Sequence, residues 1–417
     1  MGRRFGLFAS AIDRVALALV VLCLVWLGGR GFLAVERLGD GLSRTTDSFS
    51  EAGTVRAGEG FATQGFLHDR GLPDIAYGNR FPADGWKSMN PGMTREVYTH
   101  YPPGPDWITG AMTVACGPGR LGCMRLAPLS FSLLCMAWLA WVLVRELGPV
   151  RAAFVQGVLT VTPVVGGWMF GLYYQAYAFA LLLLQLGVLL QAFRPGGRLG
   201  RGHSLALVAL GFLQGWLSFD YFFLTSLTAW PMWLLLPAAE RTARRRELLW
   251  ACALPAAGFA FAHGLHLLQV AVWLGSVGAA IEDLRAAAVK RASSSVGLWE
   301  VTWLYFRGVI VDPAGFQFRL FLAVTAALGA LAWRHVWQPR RSGQPIDQAG
   351  LRQGLAVLAA GLIIAGLWTV VMRQHAKIHY FFLVRHYFVV LFLALLVLVD
   401  RVAGLRPAPV SPRPPSA

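Results

Sequence analysis

Long apolar segments recur along this chain and constrain its fold more than any other feature. About ten of them approach the roughly 20 residues that an α-helix needs to cross a bilayer. They are 14–35, 126–145, 151–170, 173–193, 203–218, 221–237, 248–274, 317–337, 351–372 and 380–400. The sequence therefore predicts an all-α integral membrane protein with about ten transmembrane helices.

Composition supports the membrane class. Of 417 residues, 56% are hydrophobic and 14% are charged, and the mean hydropathy is +0.54. Soluble domains have roughly a quarter charged residues, so a soluble enzyme of this length is excluded. In a soluble protein, a net charge of +16 would suggest a nucleic-acid partner. Here arginines flank apolar segments, so we expect the lipid bilayer as a partner and no nucleic acid.

The arginines also indicate how the helices are oriented. If the N-terminus is inside, the short inner segments contain about half of the 37 basic residues and under a third of the 21 acidic ones. This bias is typical of cytoplasmic loops. We therefore expect a bacterial inner-membrane protein with both termini cytoplasmic. The first apolar segment resembles a signal peptide but is long and lacks a convincing cleavage site, so we interpret it as a retained anchor.

Three polar stretches fall on the predicted outer side, and we expect the chemistry there. One is a basic turn from Arg373 to His379, which includes His375 and Lys377 and runs on to Arg385. The other two are the first outer loop, 36–106, and the second, 275–316. Amphipathic surface helices are expected in both loops, because Ser48 and Glu51 have the spacing of a helix capping box and the second loop is rich in Trp, Tyr and Phe. Residues 1–405 are predicted to form one membrane domain. The Pro-rich tail 406–417 is predicted to be disordered.

The first outer loop offers three candidate site residues. Glu51 is either a structural cap or a carboxylate that acts as a general base or binds a metal ion at the lip of a cavity. His100 and Tyr101 precede Pro102-Pro103-Gly104-Pro105, a stiff passage that either only re-enters the membrane or also fixes these two side chains against a ligand.

Later segments place charged groups in apolar surroundings. Asp220 is a functional candidate because an intramembrane carboxylate needs a partner, although a charge at the water interface is the alternative. Arg385 and His386 lie inside an apolar segment and need an anion; a lipid phosphate or pyrophosphate fits, because arginine binds it with two hydrogen bonds. A solvated turn explains Lys377 equally well. Five cysteines show no metal-binding spacing, and Cys116 and Cys123 form either a disulfide or two separate thiols.

Several motifs together resemble the GT-C membrane glycosyltransferases of the protein O-mannosyltransferase and lipid A aminoarabinose transferase type, also described as family 39-like. These members have one helix followed by an acidic outer loop, a Pro-Pro passage and a segment like "RLPSAL". The positions that match these elements are Ser50-Glu51, Tyr101-Pro102-Pro103-Gly104, Arg125-Leu126-Ala127-Pro128, Thr162-Pro163 and Arg385-His386-Tyr387. The sequence departs from the pattern at Ser50, Tyr101 and Gln175, where members of the family have an acidic residue, a lysine and an acidic residue, respectively.

The resemblance implies transfer of a sugar from a polyprenyl-phosphate donor to a glycan, lipid or protein acceptor at the periplasmic face. It implies a carboxylate base, for which Glu51 is the first candidate and Asp47 the substitute. Asp220 would orient the acceptor or a basic partner. Arg385 and His386 would bind phosphate, with His100, Tyr101, Lys377 and Tyr387 as further substrate-binding candidates. No metal ligand is assigned, and a divalent metal cofactor is left open.

Two other functions fit the same composition. A transporter or flippase of a lipid-linked anion would use a similar basic cavity, and an internal repeat with matching broken helices would favour it. No such repeat is found. A non-catalytic membrane subunit of a polysaccharide assembly system would be favoured if Glu51 and Asp220 proved dispensable.

Overall fold

The computed structural model describes residues 10–43, 48–74, 97–292, 296–311, 315–378 and 384–402. Within these ranges the regular structure is helical, apart from one isolated bridge between Asp74 and Val97. The helices are α1 (Ala11–Leu38), α2 (Ser48–Gln64), α3 (Gly104–Cys116), α4 (Leu121–Met124), α5 (Leu126–Leu147), α6 (Pro149–Val161), α7 (Pro163–Trp168), α8 (Tyr174–Ala192), α9 (Arg201–Leu217), α10 (Phe222–Leu227), α11 (Ala229–Leu234), α12 (Ala238–Ala243), α13 (Arg245–Leu274), α14 (Val277–Arg291), α15 (Leu298–Val311), α16 (Phe316–Ala332), α17 (Gln338–Arg341), α18 (Gln348–Val371), α19 (Arg373–Ile378) and α20 (Phe388–Val402). Single helical turns lie at His68–Gly71, Trp333–Trp337 and Val384–Tyr387. The predicted all-α class is confirmed, and the Pro-rich tail lies outside the described residues.

Six helical segments of the described chain are long and apolar enough to cross a membrane. They are α1, α4 with α5, α8, α13, α16 with α17, and α18. Within the described residues, four of the predicted segments form shorter or broken helices instead. The segment 151–170 breaks between α6 and α7, because Pro163 has no N–H and Thr162 before it adopts an extended conformation. The count of ten spans therefore stays a prediction.

The helices differ in how much of their circumference is buried. Almost every residue of α8 is buried, and so is α20 from Phe388 to Leu396. Apolar side chains such as Val15, Leu22 and Trp26 of α1 are instead exposed on the molecular surface. A helix that is apolar all round belongs in a protein core or in lipid. We therefore interpret α8 and α20 as the core and the exposed face of α1 as lipid-facing.

Close backbone packing joins α9 to α13. A Cβ atom on Gly211 would lie 2.1 Å from the Pro255 oxygen, and one on Gly258 would lie 2.2 Å from the Val208 oxygen. Gly215, one turn after Gly211, faces the same helix. This small-residue spacing is a common way for membrane helices to approach each other. The pair holds the end of α9, from which the chain continues to Asp220.

The two ends of α8 have different surroundings. Near its C-terminal end, Arg194 pairs with Glu146 at 2.6 Å, and Arg244 pairs with Glu247 at 2.6 Å. Its N-terminal end, at Tyr174, faces the polar loops and the candidate site described below. The arginine-rich loops therefore gather at the end of the bundle away from that site.

The first outer loop contains the helices that sequence spacing predicts. Helix α2 begins at Ser48 and packs on α3, where Gly58 and Gly110 allow close approach. After α3, Cys116 and Cys123 are joined by a disulfide. Of the two alternatives for these cysteines, the disulfide is the one present.

Candidate active site

A short connection between α7 and α8, residues 168–174, links the predicted carboxylates to the predicted phosphate-binding arginine. The Leu172 N–H donates to Glu51 Oε1 at 3.1 Å, and the Tyr174 hydroxyl donates to Asp220 Oδ2 at 2.5 Å. The Arg385 guanidinium lies over the Trp168 ring at 4.6 Å. Three residues that are far apart in sequence therefore contact one seven-residue segment.

Glu51 is completely enclosed. Both of its carboxylate oxygens accept hydrogen bonds from Arg125, and both side chains have no exposed surface. Backbone N–H groups of Ser43 and Leu172 donate at 2.7 and 3.1 Å. Arg125 also donates to the Gly41 carbonyl at 2.7 Å. These contacts favour a structural role for Glu51 over the predicted role as general base, because its acceptor positions are filled by fixed partners. Asp47, the substitute base, lies outside the described residues.

Asp220 has a different kind of environment. It follows the end of α9, where Ser218 is extended and its hydroxyl accepts from the Asp220 N–H at 3.0 Å. Tyr174 donates to one carboxylate oxygen, and His375 Nε2 lies 3.5 Å from the other. Asp220 and His375 are both buried. A carboxylate oriented on an imidazole is a common arrangement for accepting a proton from a substrate.

Half-buried aromatic rings lie next to this pair. Tyr101 stacks on Phe219 at 4.5 Å and on Tyr98 at 5.6 Å between ring centroids. Arg291 of α14 lies over Tyr101 and Phe219, at 5.1 and 5.3 Å from their centroids, and donates to the Tyr98 hydroxyl at 3.2 Å. Tyr101 therefore belongs to an aromatic wall that is covered by a cation from the second outer loop.

The motif Arg385-His386-Tyr387 lies in the turn before α20. Arg385 is fully buried and, besides Trp168, lies 5.7 Å from the Tyr221 ring centroid. His386 packs edge-on against the same tyrosine at 5.2 Å. Tyr387 stacks on Tyr305 of α15 at 4.5 Å. Arg385 and His386 are thus brought beside Asp220 through its neighbour Tyr221, whereas Tyr387 points to another helix.

The remaining predicted residues lie at the edge of this cluster. His100 Nε2 is 3.5 Å from Asp283, which also accepts from the Thr99 hydroxyl at 2.6 Å. Asp283 lies on α14, outside the spanning helices. Burial alone would raise the pKa of its carboxyl, but the hydrogen bonds from His100 and Thr99 outweigh burial and hold that pKa below its usual value. Lys377 forms a half-exposed ion pair with Glu300 at 2.7 Å.

Sequence reasoning missed several residues of this cluster. Arg125 was noticed only as part of a motif, and Tyr98, Tyr174 and Arg291 were not predicted as site residues. The one sequence signal for Arg125 was an arginine placed just before an apolar segment. Tyr98, Tyr174 and Arg291 can be recognised as site residues only in the folded structure, where α14 contacts the 97–101 segment. Within the described ranges, no three His, Cys, Asp or Glu side chains are placed to bind a metal ion.

Comparison with solved structures identifies the fold. The chain is similar to ArnT from Cupriavidus metallidurans bound to undecaprenyl phosphate, with 16% identity and a TM-score of 0.53 over 95% of this chain and 61% of that one. The chain has the ArnT fold. The apo form of ArnT gives 15% identity and a TM-score of 0.48 over 94% of this chain and 61% of that one. No protein-family model and no curated protein sequence matches significantly.

The similarity agrees with the membrane fold that the sequence motifs predict. It extends over nearly all of this chain, although the chain spans only about three fifths of the length of ArnT. At this identity the likeness establishes the fold alone.

Proposed function

We propose that this protein is a membrane glycosyltransferase that moves a sugar from a polyprenyl-phosphate donor to a glycan, lipid or protein acceptor. The observation that carries the proposal is the fold shared with ArnT, whose structure was solved with undecaprenyl phosphate. The composition of the site supports it. An arginine, an Asp–His pair and aromatic rings gather at one end of a helix bundle.

Each group in the cluster has a role in this reaction. The bond between the sugar anomeric carbon and the phosphate oxygen breaks, and polyprenyl phosphate leaves with the electron pair. Arg385 stabilises the charge that develops on the phosphate. The acceptor oxygen bonds to the anomeric carbon, and its proton passes to His375. Asp220 orients that imidazole and stabilises it once it is charged.

Glu51 has a positioning role in this proposal. With Arg125 it ties together the end of the first helix, the start of α2 and the 168–174 segment. His100, Tyr101 and Arg291 line the side from which an acceptor reaches His375. Lys377, paired with Glu300, stays a candidate for attracting the anionic donor.

The proposed location is the bacterial inner membrane, with the site on the periplasmic side. Two observations support this orientation. The arginine-rich loops gather at the opposite end of α8, as expected for the cytoplasmic side. The Cys116–Cys123 disulfide lies at the site end, and disulfides persist in oxidising compartments. Cysteine-labelling reagents that do not cross membranes should label Glu282→Cys and not Arg241→Cys in intact spheroplasts; the reverse pattern would overturn the orientation.

Donor binding is the direct test of the function. The purified protein in lipid nanodiscs should bind undecaprenyl phosphate, and Arg385→Ala should weaken binding by about 10- to 150-fold, because one hydrogen bond to a charged group contributes about 1.5–3 kcal/mol. Arg244→Ala is a matched control, since Arg244 is also buried and lies over an aromatic ring, Phe193. Unchanged affinity in Arg385→Ala, or equal loss in both variants, would remove the proposed phosphate role.

A further inference from the structure

Gln175 lies in the first turn of α8 and reaches the candidate site through its neighbour Tyr174. It is 2% exposed, and its Nε2 donates to the Tyr174 hydroxyl oxygen at 2.6 Å. That hydroxyl donates to Asp220 Oδ2 at 2.5 Å, and His375 Nε2 lies 3.5 Å from the other Asp220 oxygen. Two consecutive hydrogen bonds therefore connect Gln175 to the Asp–His pair. We call Gln175, Tyr174 and Asp220 the Gln175 network.

The direction of each hydrogen bond in this network follows from the groups that take part. A tyrosine hydroxyl has one proton to donate, and an ionised carboxylate can only accept. The proposed function uses Asp220 as a carboxylate, so the Tyr174 proton points to Asp220 and the Tyr174 oxygen is left to accept. The group that faces this oxygen must therefore be a donor, and the amide N–H of Gln175 meets that requirement.

The amide oxygen of Gln175 shows that this arrangement is unfavourable for the residue itself. Its Oε1 is buried and has no hydrogen-bond partner within the residues that the structure describes. A buried acceptor without a partner is unfavourable for folding. An apolar side chain of similar length would bury no such acceptor, so stability alone does not explain an amide at position 175. The hydrogen bond that the amide donates to Tyr174 does explain it.

We propose that Gln175 is a positioning residue for the transfer reaction: by donating to Tyr174 it directs the Tyr174 proton to Asp220, which keeps Asp220 aligned on His375. The inference rests on the proposed function. Gln175 acts on the reaction only through the Tyr174 hydroxyl, so its effect vanishes when that hydroxyl is removed. A residue that only packs within α8 would have the same effect whether or not the hydroxyl is present.

The first experiment tests the network without the reaction. Melting temperatures in detergent are compared for Gln175→Met, Tyr174→Phe and the double variant. The shift in the double variant should differ from the sum of the single shifts, because the two side chains share one hydrogen bond. Tyr177→Phe, on the same helix, is the control, and its shift should add to that of Gln175→Met. Additive shifts for both pairs would overturn the proposal.

The second experiment measures transfer from a polyprenyl-phosphate sugar per folded molecule. Gln175→Met should lower kcat about two- to fivefold, because only part of the energy of one neutral hydrogen bond reaches Asp220. The KM for the donor should be unchanged, since Gln175 acts through Tyr174 and contacts no substrate. Gln175→Leu is a second apolar variant and should behave in the same way. When Tyr174→Phe is already present, either change at position 175 should alter kcat little.

Each other outcome has a defined meaning. An unchanged kcat in the apolar variants, an equal loss of kcat with and without the Tyr174 hydroxyl, or a rise in KM alone would overturn the positioning role. If the unaltered protein transfers no sugar while the melting shifts of Gln175→Met and Tyr174→Phe are not additive, the proposed function fails together with the role of Gln175 in it. The hydrogen bonds of the Gln175 network would then stand as a structural feature.

Discussion

Two buried carboxylates, Glu51 and Asp220, contact the same seven-residue connection and differ in what holds them. Glu51 is paired with a guanidinium and with two backbone N–H groups, none of which releases or accepts a proton in a reaction. Asp220 is held by the side chains of Tyr174 and His375, and the imidazole exchanges its proton readily. The comparison teaches that burial of an acid is a weak guide to catalysis, and that its partners are the better guide.

The largest effect is expected at Asp220. Asp220→Asn should keep the Tyr174 contact and lose the orientation and charge stabilisation of His375. Because a positioned acid or base contributes about 10²- to 10⁴-fold, transfer should fall by that factor. His375→Gln should cause a similar loss, and the double variant should lose little more than either single one.

A matched control exists elsewhere in the chain. His335 Nδ1 lies 2.7 Å from Asp347, the N-cap residue of α18, and forms a second His–Asp pair in which the imidazole is buried and the carboxylate is half exposed. His335→Gln should lower thermal stability and leave transfer per folded molecule unchanged. If Asp220→Asn and His335→Gln affect the reaction equally, the Asp220 pair is structural as well.

The second prediction concerns the folded state. Glu51→Gln leaves the Arg125 guanidinium buried without a counter-charge, and breaking a buried pair in this way costs about 3–5 kcal/mol. The melting temperature in detergent should fall clearly, and part of the loss should return when Arg125→Met is added. Transfer per folded molecule should be nearly unchanged. A Glu51→Gln variant with an unchanged melting temperature and no transfer would indicate that Glu51 is the general base. The roles assigned to Glu51 and Asp220 would then be reversed.

The sequence identified Glu51 as a candidate site residue but did not reveal its role. The spacing from Ser48 to Glu51 predicted the start of α2 correctly. The partner of the carboxylate is Arg125, 74 residues later, and local spacing carries no information about such a contact. Asp220 was recognised from its apolar surroundings, which is a physical signal that does not need the fold. Its partner His375 was visible only as one member of a basic cluster.

The fold could be predicted further than the site. Hydropathy gave the helical membrane class, and the motifs gave the GT-C-like fold. The helix break at Thr162-Pro163, between α6 and α7, was indicated by the proline and the family motif. Hydropathy alone does not show it, because a continuous helix and a broken one can be equally apolar. The aromatic wall depends on Tyr101, Phe219 and Arg291, which come from three separate segments and meet only after folding.

A smaller effect is expected from the second partner of Asp220. Tyr174→Phe removes the hydroxyl that donates to the Asp220 carboxylate at 2.5 Å, and one hydrogen bond to a charged group is worth about 1.5–3 kcal/mol. Because the contact between Asp220 and His375 remains, we expect only part of this energy to be lost in the transition state, and transfer should fall about two- to tenfold, mainly in kcat. Tyr177→Phe, one turn later on the same buried helix, is the control and should change little. A loss as large as that in Asp220→Asn would mean that the Asp220 carboxylate acts in the reaction by orienting Tyr174 and not His375.

The smallest effect is expected at Asp283, a third carboxylate near the site, which lies outside the candidate spanning helices. Hydrogen bonds from His100 and Thr99 hold its pKa below the usual value, so its contribution to docking of α14 is fully present above about pH 3.9, the pKa of an unfolded aspartate. It is lost as the pH falls through the lower folded value.

The protection factors of the α14 amides, which remove the intrinsic pH dependence of hydrogen exchange, should therefore stay flat from pH 7 to about pH 4 and fall only below. Asp283→Asn should lower protection at neutral pH by a factor corresponding to less than about 1 kcal/mol, as for other partly exposed pairs. A fall in protection already between pH 7 and pH 5 would assign the docking to another group and remove Asp283 from the comparison. The Arg291 contacts with Tyr98 and Tyr101 keep α14 in place in either case, so transfer at neutral pH should change by less than about fivefold, the factor for that energy.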